Sequence, residues 1–416
     1  MSSRHARNFI LCLAAAVLLL SVWSCSEQAP GISRYYPAKL DSDDKWGLAD
    51  LEGNLIVSKQ WENKPSMETE GIIFVMNKDG DYEYFKVGKK PQKIGGKYID
   101  ASNFSEGLAA VVTGKGDDKH IQYIDRSGKV KIDLKKLDNK KITSASRFNE
   151  GMAWVMNEDG KYGYIDKSGK LAIKCKYDDA DLFWDGLAKV EKVSAEESKY
   201  GFIDKNDKVA IDFKPGRYYD RFSEGVCWFI EHGGEESKWG AIDKKGKIVI
   251  SPTDDIESAS AFSGGLSVVS NGESYGMINP KGKEVLRPKF DMMIQLPTGI
   301  LVSSGDKRGV INSKGKEIMP LTDDYDFLVP IGVNRYMVVE SKKFIIVDKK
   351  GKEKSKNQFE QFDPEGLLGI ESAVSSVSYY QGFDLSDLDM YSGYGDYADS
   401  GYDDSGEYEE PVRERE

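Results

Sequence analysis

The sequence predicts an all-β fold built from a tandem array of similar short units. Among its 416 residues are 42 glycines and 22 tyrosines, a composition typical of many turns and aromatic-rich strands. Apolar residues alternate over short stretches such as 187–190 and 200–203, which is the period of a half-buried strand. Each stretch is too short for a helix. All-β is therefore the class that composition and periodicity favour together.

One motif recurs along most of the chain. An aromatic residue and a glycine precede Ile-Asp in residues 161–166, 199–204 and 238–243, and Gly-Lys follows a few residues later in the first and the last of these copies. The glycines stand at positions 163, 201, 240, 276 and 309, in steps of 38, 39, 36 and 33 residues. Weaker copies lie at 82–89, 121–129 and 344–352. Self-similarity at this period is the signature of a repeat architecture.

Two further blocks complete the unit. Phe-x-Glu-Gly-Leu-Ala-x-Val precedes the glycine motif at 104–111 and 148–155, with variants at 183–190 and 222–229. An apolar stretch and a Tyr/Phe-Asp pair follow it, as at Tyr177-Asp178. The unit is predicted to be a three-stranded meander of roughly 37 residues with an optional fourth short strand.

These blocks resemble the WG (or KWG) repeat family of bacterial proteins. The resemblance covers roughly residues 36–370 and contains about nine copies. Tyrosine replaces the family tryptophan in several copies, and Arg308 replaces it in one.

The Asp-x-x-Gly-Lys segment predicts a type I turn followed by a residue in the left-handed region. Gly169, Gly246 and Gly315 occupy that place, and Asp207 replaces the glycine in one copy. The aspartate that begins the segment accepts backbone N–H bonds and fixes the turn. The glycine after the aromatic residue predicts a close approach of a ring or of a neighbouring backbone.

A single meander cannot bury its apolar face, so neighbouring copies must stack. Repeat length and strand order favour a propeller-like ring, which removes exposed edges. The alternative is an open β-solenoid. The number of units, about nine, favours it because propellers usually have four to eight blades.

The N-terminal residues 1–24 are predicted to be a lipoprotein signal peptide. Basic residues precede a mostly apolar run from Phe9 to Trp23, which is short for a membrane span. The sequence Val22-Trp23-Ser24-Cys25 resembles the lipobox of bacterial lipoproteins, although Trp23 departs from the usual small residue. The resemblance implies a lipid on Cys25 and, with Ser26 after it, the outer membrane of a Gram-negative envelope. Residues 25–35 would be a linker.

The C-terminal residues 371–416 are predicted to be a disordered acidic tail rich in Tyr, Gly, Ser and Asp. Residues 383–416 contain twelve acidic residues and two arginines, so they supply −10 of the formal charge of −11. The expected role is solvation, and an interaction segment is the alternative. A nearly neutral body with an acidic tail gives no basic surface for nucleic acid.

No catalytic or metal-binding motif is present in the sequence, and no cofactor is predicted. The repeated acids (Asp166, Asp204, Asp243; Glu106, Glu150, Glu224) occupy identical repeat positions, which predicts turn and strand-end hydrogen bonding. His120 and His232 stand beside charged turn segments and are predicted to lie at the surface. An enzyme would require a polar cluster in one pocket that departs from the repeat, and none is visible in the sequence.

The predicted function is a non-enzymatic, lipid-anchored envelope scaffold that binds protein or other envelope partners. The alternative is a glycan- or peptidoglycan-binding module in which exposed aromatic rings stack on sugars. Trp154, Trp184 and Trp228 are the candidate binding residues, whereas Trp46 and Trp239 are predicted to be core. Cys175 and Cys227 fall in different repeats and are predicted to be buried free thiols, with a disulfide as the alternative.

Overall fold

The computed structural model describes residues 33–40, 45–194, 197–233, 236–296, 298–325, 327–340, 343–355, 357–359, 361–362 and 382–384. The predicted signal peptide, Cys25 and most of the linker and tail lie outside them. The described residues form nine small antiparallel sheets arranged as a ring, which is a nine-bladed β-propeller. One short 3₁₀ turn, Gly116–Asp118, is the helical element of the described part. The prediction of an all-β ring is confirmed.

Blades are numbered from the N-terminus. The strands of blades 1 to 5 are β1 Tyr35–Lys39, β2 Trp46–Asp50 and β3 Leu55–Trp61; β4 Ile72–Met76, β5 Tyr82–Lys86 and β6 Gln92–Tyr98; β7 Asp100–Ala101, β8 Leu108–Thr113, β9 His120–Asp125 and β10 Val130–Asp133; β11 Lys136–Leu137, β12 Lys140–Ser146, β13 Met152–Asn157, β14 Tyr162–Asp166 and β15 Leu171–Tyr177; β16 Asp179–Ala180, β17 Leu187–Ser194, β18 Glu197–Asp204 and β19 Val209–Pro215.

The strands of blades 6 to 9 are β20 Arg217–Tyr219, β21 Val226–Gly233, β22 Glu236–Asp243 and β23 Ile248–Thr253; β24 Ser258–Ala259, β25 Ser267–Ser270, β26 Tyr275–Ile278 and β27 Glu284–Phe290; β28 Met292–Leu296, β29 Gly299–Ser304, β30 Lys307–Ile311 and β31 Glu317–Thr322; β32 Leu328–Gly332, β33 Arg335–Glu340 and β34 Lys343–Val347. The remaining strands are β35 Gln361–Phe362, in blade 1, and β36 Gly382–Asp384, in blade 4.

The order of strands within a blade follows the predicted meander. In blade 5 the order is β16-β17-β18-β19, with the two-residue strand β16 at one edge. The last strand of a blade has many exposed side chains, whereas the second and third strands are largely buried. The short first strand therefore lies toward the ring axis and the last strand lies at the rim, as is usual for propellers.

The ring is closed by the C-terminal end of the repeat region. Strand β35 pairs with β1 through Ala38–Phe362 and Lys39–Gln361, so the last residues of the array supply the innermost strand of blade 1. The largest apolar cluster joins blades 8, 9 and 1, and in it the hydroxyl of Tyr36 donates to the carbonyl of Ile331 at 3.1 Å. The other clusters bridge the successive pairs from blade 1 to blade 8. Because the ring is closed, neither end of the array of nine units is left unpacked. The open solenoid is therefore excluded.

The predicted turns are confirmed in detail. In blade 4 the carboxylate of Asp166 accepts the N–H groups of Ser168 at 2.8 Å and Lys170 at 3.1 Å. Gly169 and Gly246 have φ of 81° and 78°, and Asp207 adopts the same conformation at 64°. The aromatic-Gly position is also explained, because a side chain on Gly163 would start 2.5 Å from the carbonyl oxygen of Ile173.

The two cysteines of the repeat region are free thiols, so the disulfide alternative is wrong. Cys227 is buried and Cys175 is half-buried. Burial raises the pKa of the Cys175 thiol to about 11 and also raises that of Cys227. Neither thiol is therefore activated as a nucleophile at neutral pH.

Candidate functional site

One end of the ring carries two sets of turns from each typical blade. In blade 5 these are residues 183–186, between β16 and β17, and residues 204–208, between β18 and β19. We call this end the turn face. A carboxylate in each Phe-x-Glu-Gly turn accepts an N–H from the glycine of the next blade: Glu106 from Gly151 and Glu150 from Gly186, both at 2.9 Å. The repeated acids are structural hydrogen-bond acceptors, as predicted.

Trp184 interrupts this regular face. In blades 3, 4 and 6 the equivalent residue is polar, and its side chain donates to the carbonyl of the next blade's phenylalanine. Ser105 donates to Phe148, and Ser223 donates to Phe262, at 2.7 and 2.6 Å. Trp184 cannot make this short bond, and its ring is half-buried on the turn face. Blade 5 therefore lacks a hydrogen bond that blades 3, 4 and 6 have.

Two arginines flank the indole of Trp184. The guanidinium carbon of Arg221, from blade 6, lies over the ring at 4.5 Å from its centroid, and that of Arg147, from blade 4, lies at 5.8 Å. Such contacts are cation–π interactions. We call these three residues the Arg–Trp–Arg cluster. Within the described residues no ion pair with an acidic side chain is found for either arginine. Burial and the charge of Arg221 both lower the pKa of Arg147.

A buried charge cluster lies at the adjoining interface of blades 5 and 6. Lys189 stands where the repeat has Trp154 and Trp228, and its side chain is 6% exposed. Its ammonium contacts the Asp181 carboxylate at 2.9 Å and donates to the Tyr218 hydroxyl and the Tyr219 carbonyl, both at 3.2 Å. These contacts raise the pKa of Lys189 although burial lowers it. The amine is therefore a cation at neutral pH and is not suited to nucleophilic chemistry.

Asp181 and Asp220 also depart from the repeat. Serines occupy this position in four other blades, where the hydroxyl accepts the N–H of the residue eight places later, as Ser146 does from Trp154 at 3.0 Å. Burial raises the pKa of Asp220. A shallow cleft beside Asp220 is lined mainly by aromatic and aliphatic side chains. It has no enclosed space even for a water molecule, so it is not a site for a small molecule.

The predicted binding tryptophans are not equivalent in the structure. Trp154 and Trp228 are 3% and 1% exposed, and the indole N–H of Trp228 donates to the carbonyl of Ser260 at 3.0 Å. Both rings are core residues between blades, so they offer no face to a sugar. Trp239 is buried as predicted, and Trp46 is half-buried. Trp184 is thus the candidate that reaches the surface.

The prediction of a surface His120 is wrong. His120 is 8% exposed, and its Nδ1 lies 2.7 Å from the carbonyl of Asp118. The side chain of His232 lies outside the described residues. Within the described ranges, His, Cys, Asp and Glu side chains form no group of three or more that could hold a metal ion. No helix there is long and apolar enough to span a bilayer.

Comparison with known proteins identifies the repeat. A model of the WG containing repeat matches residues 123–162, 162–192, 239–273 and 275–294. The chain contains WG repeats. No curated protein matches it.

Solved structures with a similar fold have little sequence in common with the WG-repeat ring. A structure titled as the eukaryotic initiation factor has 9% identity and a TM-score of 0.53, over 85% of this chain and 98% of that chain. Apo AztD from Citrobacter koseri has 13% identity and a TM-score of 0.39, over 80% and 97%. BamB from Moraxella catarrhalis has 11% identity and a TM-score of 0.33, over 67% and 93%. The first of these supports the fold alone.

Several polar side chains that the motif did not single out depart from the repeat in blades 4 to 6. Five charged residues in blades 4 to 6 differ from the residues at the same positions of most other repeats. They are Arg147, Asp181, Lys189, Asp220 and Arg221. Alignment of the copies position by position would have revealed them. The motif describes only the residues that recur, so it does not show a residue that differs in one or two copies. A WG-repeat propeller of this kind indicates a protein-interaction scaffold.

Proposed function

We propose that this protein is a non-enzymatic, lipid-anchored scaffold of the cell envelope that binds a protein partner through the turn face of blades 4 to 6. The Arg–Trp–Arg cluster is the observation that supports this best. A half-buried tryptophan with two arginines at a site where other blades carry small residues is typical of binding hot spots. The lipid anchor rests on the lipobox resemblance at Cys25.

Glycan binding is the weaker candidate. It needs exposed ring faces, and two of the three candidate tryptophans are buried. The third has cations over its ring, an arrangement that suits an acidic or otherwise anionic partner group better than a neutral sugar.

Trp184→Ser tests the binding surface. Serine is the residue at the equivalent positions 105 and 223, so the fold should tolerate it. We expect recovery of crosslinked protein partners from intact envelopes to fall about tenfold, because truncating a hot-spot residue costs about 1–2 kcal/mol or more. Trp46→Tyr is the matched control, since tyrosine stands at the equivalent position in other repeats; it should leave recovery unchanged. Equal recovery with Trp184→Ser would contradict the proposed surface, and enrichment of peptidoglycan fragments would favour the glycan alternative.

Cys25→Ala tests the anchor. A diacylglycerol on the cysteine sulfur would hold the protein at the membrane, because each buried methylene contributes about 0.8 kcal/mol. We expect the variant to move into the soluble fraction with its thermal midpoint unchanged, measured after fractionation and by circular dichroism. If the variant stays with the membrane after a salt wash, lipidation at Cys25 is not what anchors the protein. Separation of inner and outer membranes then tests the sorting role of Ser26.

A further inference from the structure

The Arg–Trp–Arg cluster makes no ion pair within the described residues, although Glu106 attracts Arg147 and Asp220 attracts Arg221. Arg147 and Arg221 come from two different blades and are brought to the same indole ring. Partial burial and the charge of Arg221 lower the pKa of Arg147, and the attraction of Glu106 offsets only part of this. Other cationic side chains of the turn face are neutralised: Lys167 pairs with Glu106 at 3.1 Å, and Lys205 pairs with Glu150 at 3.2 Å. An acidic ligand would supply what the cluster lacks.

The chain itself contains an acidic segment tethered close to this cluster. Strand β36 pairs with β12, and Gly382 lies opposite Ser146, the residue directly before Arg147. Asp384 lies opposite Ser144, which at about 3.3 Å per residue is about 10 Å along the strand from Arg147. A flexible chain of 12 residues has a mean end-to-end distance of about 20 Å. The acids and tyrosines beyond Asp384 can therefore reach the cluster.

We propose that the Arg–Trp–Arg cluster is the docking site of the chain's own acidic C-terminal segment, residues 385–416. Carboxylates of the segment pair with the two guanidiniums, and a tyrosine ring packs against Trp184. The tether gives the segment an effective concentration of about a millimolar, so weak contacts suffice for occupancy. An acidic partner must displace the segment before it binds. This inference rests on the proposed function of the turn face, but its test needs no partner.

The experiment uses a labelled synthetic peptide with the sequence of residues 391–416. It is titrated against the full chain and against a chain that ends at Asp384, with fluorescence anisotropy as the readout. The shortened chain keeps all eight apolar clusters, which lie between Tyr36 and Phe359, so it should fold. A peptide with Asn and Gln in place of Asp and Glu is the matched control ligand.

We expect the shortened chain to bind the acidic peptide at least about tenfold more tightly than the full chain, because the tethered segment competes. Binding should weaken about tenfold or more between 0.05 and 0.5 M salt. Arg147→Asn and Arg221→Ala should each weaken it about tenfold; asparagine and alanine are the residues at equivalent positions 103 and 261. Arg287→Gln is the control, since this arginine is 88% exposed on the rim strand β27 and should not matter.

Three results would overturn the proposal: equal affinity of the full and shortened chains, equal binding of the peptide with Asn and Gln, or undiminished binding in the chain with both Arg147→Asn and Arg221→Ala. The partner assay separates this from the proposed function. If the peptide does not bind but Trp184→Ser still abolishes partner recovery, the turn face binds a partner and the tail is not its competitor. If the peptide binds as expected and Trp184→Ser leaves recovery unchanged, the cluster serves the tail alone.

Discussion

Lys189→Met should lower the free energy of unfolding by about 3–5 kcal/mol. The substitution keeps the volume of the side chain but leaves the Asp181 carboxylate and the Tyr219 carbonyl without their cation, and removing one partner of a buried ion pair has an effect of this size. Denaturant unfolding followed by tryptophan fluorescence measures it.

Two further variants serve as controls for the effect of Lys189→Met on the free energy of unfolding. Lys189→Met combined with Asp181→Ser recreates the serine of blade 4, whose hydroxyl accepts a backbone N–H, and should recover most of the loss. Lys97→Met removes an ion pair with Asp79 in which both side chains are about half exposed, and should have an effect below about 1 kcal/mol. A Lys189→Met midpoint as little changed as that of Lys97→Met would mean that the buried pair contributes no stability.

Gly163→Val should have the second large effect, a loss of about 3 kcal/mol or more. A β-carbon at this position would lie 2.5 Å from the carbonyl oxygen of Ile173 and 2.7 Å from the amide nitrogen of Cys175. Both are backbone atoms of the neighbouring strand β15, so they cannot move aside as a side chain could. The strand pair must separate, with loss of ladder hydrogen bonds and of core packing. Thermal and urea unfolding report the change.

Gly246→Val is the matched comparison for Gly163→Val. Its φ of 78° strains any β-branched residue, but the nearest atom to the new β-carbon is the Cδ1 of Ile211 at 3.4 Å, at the end of a flexible side chain. The expected loss is therefore smaller, about 1–3 kcal/mol. If Gly246→Val is the more destabilising of the two, backbone conformation outweighs the close approach at the aromatic-Gly position.

Most of the fold could be predicted because the same short-range interactions recur in almost every repeat. The Asp-x-x-Gly-Lys turn depends on a short-range carboxylate bond and on one residue at positive φ, as Asp166 and Gly169 illustrate. Alternation of apolar residues then fixes which strand faces are buried. Local rules of this kind act within one unit, so the sequence of that unit contains all the information they need.

The candidate site could be predicted only in part. Trp154, Trp184 and Trp228 look alike in the sequence, but Trp154 and Trp228 lie in β13 and β21, between blades, whereas Trp184 lies in a turn. Burial of a strand residue depends on the adjoining blade. The same holds for Lys189, whose partners Tyr218 and Tyr219 belong to blade 6.

The repeat, its strands and its turns follow from the amino-acid sequence alone, because they depend on hydrogen bonds and periodicity within about 40 residues. The tertiary structure decided that the array closes, since closure depends on β35 meeting β1 across more than 300 residues of chain. It also brought Arg147 and Arg221 to Trp184. Contacts between blades depend on the curvature that the whole ring imposes, and no single repeat encodes that curvature.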